Sequence, residues 1–128
     1  MNDSVECYPL PDKQFKNEQD FKVWFMNTHR YLKAWFEVEN EEKEPGFPDV
    51  LAIANDDTAH FYETKIAWKG GRFKFEETQP RFFRCHPQLN IKVVVFDMET
   101  RMLYVIPAAL ATAAVLAKNS LTLNIRKF

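Results

Sequence analysis

Apolar residues recur at three- and four-residue spacing from Asn17 onward: Phe21, Trp24, Phe25, Thr28, Tyr31, Leu32, Trp35 and Phe36. That period paints one stripe along a helix, predicted from Asn17 to about residues 33–36. Asn17 suits the N-cap, and Glu18 and Asp20 suit a first turn, where carboxylates complement the helix dipole. Residues 1–13 contain Pro9 and Pro11 and no period, and read as an irregular lead-in. After the helix, FEVENEEKEPG (36–46) is either a short solvated edge strand or a loop, closed by Gly46 and Pro48.

The pattern then tightens. VLAIA (50–54), the turn NDDT (55–58) and AHFYETKIAW (59–68) predict a β-hairpin with a four-residue loop. KGGR (69–72) is a flexible crossing. A helix is expected over about 76–86, with Pro80 tolerable only in its first turn. IKVVVFDM (91–98) is a strand, ETR a turn and MLYVIP the returning strand; residues 108–118 form an Ala-rich helix, and SLTLNIRKF alternates as a last strand. The order predicts one α/β domain spanning 1–128, a mixed β-sheet flanked by helices.

Composition sets the scale. The chain has 128 residues, is 46% hydrophobic and holds twelve Phe, enough for a packed core. Its net charge of −1 excludes a globally basic nucleic-acid binder, so a polyanion would need a local patch. One is available. Residues 37–63 carry nine acids against Lys43, whereas 64–92 carry seven bases (Lys65, Lys69, Arg72, Lys74, Arg81, Arg84, Lys92) against Glu76 and Glu77. Cys7 and Cys85 match no zinc or redox spacing. The N-terminus lacks a signal-peptide pattern, and the stretch 104–117 is shorter than the roughly 20 residues of a membrane span. The expectation is a soluble, intracellular (cytoplasmic) protein.

The chemistry gathers in GFPDVLAIANDDTAHFYETK (46–65). Residues i and i+2 of a strand share a face, so Glu63 and Lys65 project together. A four-residue turn pairs positions whose numbers sum to about 113, which sets Asp49 beside Glu63. Two carboxylates that close repel, and burial strips their hydration, so a shared proton, an ion pair or a metal must compensate. Lys65 neutralises one charge. The remainder suits a hard cation such as Mg²⁺, which takes one or two carboxylates and keeps several waters. Such an ion polarises a phosphoryl oxygen and lowers the pKa of water, while the lysine stabilises developing charge. An ordinary same-face ion pair on a surface hairpin is the bland alternative.

Gly46-Phe47-Pro48-Asp49, then Glu63-Thr64-Lys65, then Gly70-Gly71-Arg72 and Gln79 resemble the PD-(D/E)XK nuclease superfamily. The likeness is to its small VRR-NUC-type and Holliday-junction-resolvase-like members, and covers residues 18 to about 97. It implies a restriction-endonuclease-like fold. It further implies that Asp49, Glu63 and the Thr64 backbone carbonyl bind Mg²⁺, with Mn²⁺ able to substitute, that Lys65 is catalytic, and that Gln79 reaches the metal's water or the scissile phosphate. Such enzymes often add a first-helix glutamate about thirty residues before the PD aspartate. Glu18 stands there, sharing a face with Phe21 and Phe25; a surface acid serving the helix dipole is its alternative. Glu37 and Glu39 are weaker, solvated candidates.

The implied activity is hydrolysis of DNA phosphodiesters by an endonuclease acting on branched or otherwise structured sites. A non-catalytic nucleic-acid-binding or protein-interaction module on the same scaffold is the alternative. Lys69, Arg72, Lys74, Arg81 and Arg84 would follow the DNA phosphates from the KGGR crossing along the helix. Trp68 is either a base-stacking platform or, the preferred reading, core. His29, His60 and His86 have no metal-ligand spacing and read as structural. Small size suggests a homodimer or a larger nucleic-acid-processing partner; the helix at 108–118 is a candidate interface, with packing on the sheet the preferred alternative.

Overall fold

A computed structural model describes residues 4–28, 32–38 and 44–128. The elements run β1 (Glu6–Pro9), α1 (Glu18–Thr28), β2 (Leu32–Glu37), β3 (Val50–Ala54), β4 (Ala59–Ala67), β5 (Arg72–Lys74), α2 (Thr78–Cys85), β6 (Ile91–Asp97), β7 (Met102–Pro107), α3 (Ala108–Lys118) and β8 (Thr122–Asn124). Six strands form one mixed sheet in the order β1-β7-β6-β4-β3-β2, and β5 pairs with β8 in a small second sheet. Every pair in the large sheet is antiparallel except β4 with β6. A parallel pair needs a crossover, and the connection carrying α2 supplies it.

Both faces of the sheet are covered, which is why β6 reads as a continuous apolar run. Val94 and Phe96 face α1, packing with Phe21, Phe25 and Met26. Val93 and Val95 face the other way, toward Phe75, Phe82, Phe83 and Ala111. Burial of such side chains contributes on the order of 1.5–3 kcal/mol each, before the cost of ordering the chain.

Several expectations change. The first helix does not reach 33–36. It ends at Thr28, whose hydroxyl donates back to the Trp24 and Phe25 carbonyls, and residues 32–37 form the edge strand β2. Trp35 and Phe36 continue a helical spacing by coincidence; pairing with β3 overrides it, as tertiary context does local pattern. The edge strand therefore starts before the FEVENEEKEPG segment, and His29, Tyr31 and Glu39 lie outside the described residues. The lead-in is not irregular throughout, because Glu6–Pro9 pairs with β7. The final strand is only Thr122–Asn124, followed by a 3-10 turn over Ile125–Lys127.

The KGGR crossing is not loose either. Residues 69–71 form a 3-10 turn in which the Gly70 N–H donates to Glu99 Oε1 at 2.7 Å. Arg126 clamps the same region, donating to Asp97 Oδ2 at 2.8 Å and to Glu99 Oε1 at 2.9 Å. Gly71 adopts φ +78°, which favours glycine, and a Cβ there would press on Arg126 Nε at 2.8 Å. The predicted N-cap is present: Asn17 Oδ1 accepts the Asp20 N–H at 2.9 Å.

Candidate active site

The site forms where one strand of the hairpin stops and the other runs on. The β3–β4 register is Val50 with Tyr62 and Leu51 with Phe61, a sum of 112, one short of the expected value. Asp49 is thereby aligned with Glu63. Beyond that pair, Glu63–Ala67 keep β6 on one side and have no β3 residue on the other. The Phe61 N–H donates to Asn90 O, toward β6, so by alternation the backbone of residues 62, 64 and 66 faces the opposite edge. Glu18 closes that edge: its Oε1 accepts the Ile66 N–H at 3.2 Å. The Thr64 carbonyl faces the same side.

Each residue of GFPD has a distinct physical task. Gly46 adopts φ +88°, and a Cβ on it would lie 2.1 Å from the Thr78 carbonyl oxygen, so the chain passes directly over the first turn of α2. Phe47 packs edge-on against Phe61 and Phe82, at centroid distances of 5.6 and 5.2 Å. Pro48 is buried. The Asp49 carbonyl accepts the Val38 N–H at 2.7 Å, holding this backbone to the continuation of β2. The Asp49 side chain is left to meet Glu63.

Glu63 is 2% exposed and Lys65 7% exposed. Burial, first, and the facing Asp49 carboxyl push the Glu63 carboxyl well above the usual carboxylate range; Lys65 opposes the shift and Glu18 adds to it. Asp49 and Glu63 are within hydrogen-bonding reach of each other, but two ionised carboxylates have no proton to share. Glu63 Oε1 is buried without a hydrogen-bond partner. Such an orphaned acceptor is costly unless something outside the chain satisfies it.

The lysine is held on three sides. Lys65 Nζ lies 3.9 Å from Glu63 Oε2, donates to Gln79 Oε1 at 2.9 Å, and sits 5.5 Å from the centre of the Phe75 ring. Gln79 reaches it from the first turn of α2, where the same Oε1 also accepts the Glu76 N–H at 2.9 Å. Pro80 falls inside that first turn and so does not disturb the aim. The facing Asp49 and Glu63 carboxyls and the orphaned oxygen are what a hard divalent cation could use, since two carboxylates are a sufficient protein share. Among the described residues no cluster of three or more His, Cys, Asp or Glu is close enough to hold a metal.

Glu18, Asp49, Glu63, Thr64, Lys65 and Gln79 thus converge, but the expected basic strip divides. Arg72 and Lys74 are exposed on β5, beside a cavity that Glu18 also lines. Lys69 is exposed in the 3-10 turn. Arg81 and Arg84 instead line a groove against α3, with Thr112 and Leu116, and Arg81 is paired with Glu77 at 3.1 Å. Two and five residues from Gln79, they fall on the far side of α2. Trp68 is not core, being 50% exposed. Glu37 is not simply solvated; it accepts from Gln19 Nε2 at 3.0 Å and faces buried Lys22 at 4.0 Å. His60 bonds Thr58 and Asn90, and His86 bonds Glu44. The Asp97–Arg126 clamp and the Phe75 ring under Lys65 carry no sequence signal, because spacing does not reveal contacts between distant segments.

No protein-family model matches the chain, and neither a curated protein nor a solved structure matches it. No helix among the described residues is long and apolar enough to cross a membrane.

Proposed function

We propose that this chain is a divalent-cation-dependent endonuclease of the PD-(D/E)XK class with a restriction-endonuclease-like fold, hydrolysing DNA phosphodiesters. The observation that carries the reading is the meeting of Asp49, Glu63 and Lys65 at the end of the β3–β4 ladder, with one buried Glu63 oxygen left without a donor. Asp49, Glu63 and the Thr64 carbonyl would hold Mg²⁺ or Mn²⁺, and Glu18 would bound the site from α1. When bound, such a cation polarises a phosphoryl oxygen and lowers the pKa of water.

The remaining work belongs to the chain. Lys65, fixed between Gln79 and Glu63, presents a positive charge where the pentavalent phosphate accumulates negative charge. Gln79 is a positioning residue whose oxygen holds that ammonium in place. Phe75 and the buried wall of β4 exclude water from one side of the ammonium, strengthening its field.

The test is a cleavage panel of linear, nicked, single-stranded and four-way DNA with Mg²⁺, Mn²⁺ or EDTA. Cutting is expected with either metal and none with chelator. Lys65→Ala is expected to abolish cutting yet retain DNA binding, and a variant that cuts like the parent removes the centre of the reading. Binding without cleavage under every metal would instead favour a non-catalytic module on this scaffold.

A further inference from the structure

Beside the candidate site lies a cavity of about 270 Å³ lined by Glu18, Ile66, Trp68, Arg72, Lys74 and Thr122. It is just below the roughly 300–1,000 Å³ of pockets for drug-sized ligands, a size suited to one planar heterocycle. Trp68 is half exposed there, although it directly follows the buried stretch Tyr62–Ala67. A large aromatic ring left in water is the less common outcome for tryptophan.

Two cations and one carboxylate, Glu18, line the cavity. Arg72 and Lys74 are alternate residues of β5 and both are exposed. Neither has an ion-pair partner among the described residues, whereas Arg81 and Arg126 are paired. The backbone that carries them is rigid: the Trp68 N–H donates to Arg72 O at 2.9 Å, and the Gly71 N–H to Trp68 O at 2.9 Å. Glu18 joins the cavity to the carboxylate site, since the same side chain lines the one and caps the strand edge of the other.

An indole face with two unpaired cations matches a nucleobase and its flanking phosphates. A base within a duplex is already stacked on both faces, and reaches such a ring only when unpaired or flipped. We propose that this cavity is a subsite for one unpaired nucleotide, Trp68 stacking on its base while Arg72 and Lys74 hold the adjacent phosphates, so that the protein engages nucleic acid where a strand is already single. This rests on the nuclease reading for its biological sense, but the binding prediction stands apart from cleavage.

The experiment measures binding in EDTA, where no cutting occurs, to an oligothymidylate, a duplex of equal phosphate count and an oligouridylate. A parallel probe carries 2-aminopurine, whose fluorescence is quenched by stacking. The parent is expected to bind the single strand more tightly than the duplex and to quench the probe. Trp68→Ala is expected to weaken single-strand binding by about 5- to 100-fold and to abolish quenching, while Trp68→Phe keeps most of both. Thermal unfolding of each variant checks that the fold is intact. An Arg72→Ala, Lys74→Ala double variant should flatten the salt dependence of single-strand binding.

Equal affinity of the parent and Trp68→Ala for the single strand overturns the subsite, as does tighter binding to duplex or no binding to any strand. Preference for oligouridylate over oligothymidylate supports the subsite and assigns the strand as RNA; the reverse assigns DNA. If the Trp68-dependent binding holds and no metal yields cleavage, the nuclease reading fails and the subsite stands. If the parent cleaves duplex DNA and Trp68→Ala binds single strands unchanged, the subsite fails and the nuclease reading stands.

Discussion

Glu63 has a carboxyl that the fold makes difficult to ionise, and this has a sign that can be tested. Its folded pKa lies above the ordinary value, so the folded chain holds the proton more tightly than the unfolded one. Stability from this group is therefore full below the ordinary carboxylate range and declines as pH climbs through the window up to the raised value. In EDTA, thermal unfolding followed as pH rises from the ordinary carboxylate range should show this fall in the parent and a flatter profile in Glu63→Gln. The variant is expected to be more stable by about 1–3 kcal/mol at neutral pH, since an amide is neutral beside Asp49 without having to take up a proton. Mg²⁺ should raise the melting temperature of the parent and leave that of Glu63→Gln nearly unmoved. Gln79 offers a second test at this scale. Gln79→Leu removes the acceptor at 2.9 Å from Lys65, and cleavage is expected to fall about 10- to 100-fold, mainly in kcat, because the ammonium is still present but no longer held.

Between elements, GFPD is a joint. Gly46 lets β3 approach α2, Phe47 locks that approach against Phe82, and the same approach sets the distance between Asp49 on one element and Gln79 on the other. Gly46→Ala combines a left-handed backbone with a direct overlap on the Thr78 carbonyl. A loss of about 2–4 kcal/mol is expected in urea unfolding, with lowered cleavage even where the variant remains folded. Legibility differed sharply between elements. IKVVVFD and the Ala-rich α3 were readable because their patterns match the environments they occupy. The stretch LKAWFE was not, since its apolar spacing serves a helix or an edge strand equally and only pairing with β3 decides. The same limit applied to ECYP, too short to show a period and made a strand by β7.

Across the whole molecule, the C-terminal turn stabilises the approach to the site. Arg126 joins Asp97 at the end of β6, Glu99 in the following turn and, through Glu99, the amide of Gly70. Burial alone would raise the Asp97 carboxyl, but the Arg126 guanidinium and the Thr100 and Glu99 amides outweigh it and hold it below the usual range. A depressed carboxylate contributes stability above its ordinary pKa and loses it as pH falls through the folded value, opposite in sign to Glu63. Asp97→Asn is expected to cost about 1–3 kcal/mol at neutral pH, less in acid, and to speed hydrogen exchange at Gly70 and Gly71. Unchanged exchange at those amides would mean that the clamp does not set the rigidity of the turn bearing Trp68 and Arg72.

The sequence by itself determined the α/β class, the hairpin and its register to within one residue, and the members of the carboxylate–lysine set. Those follow from local rules: alternation along a strand, turn length, and the tendency of apolar runs to be buried. Only the tertiary structure decided that the first helix stops at Thr28, that Arg81 and Arg84 turn away from Gln79, that Trp68 stands in solvent, and that one Glu63 oxygen has no donor. Each of these depends on which distant segment arrives at a given face, and spacing along a chain carries no record of that.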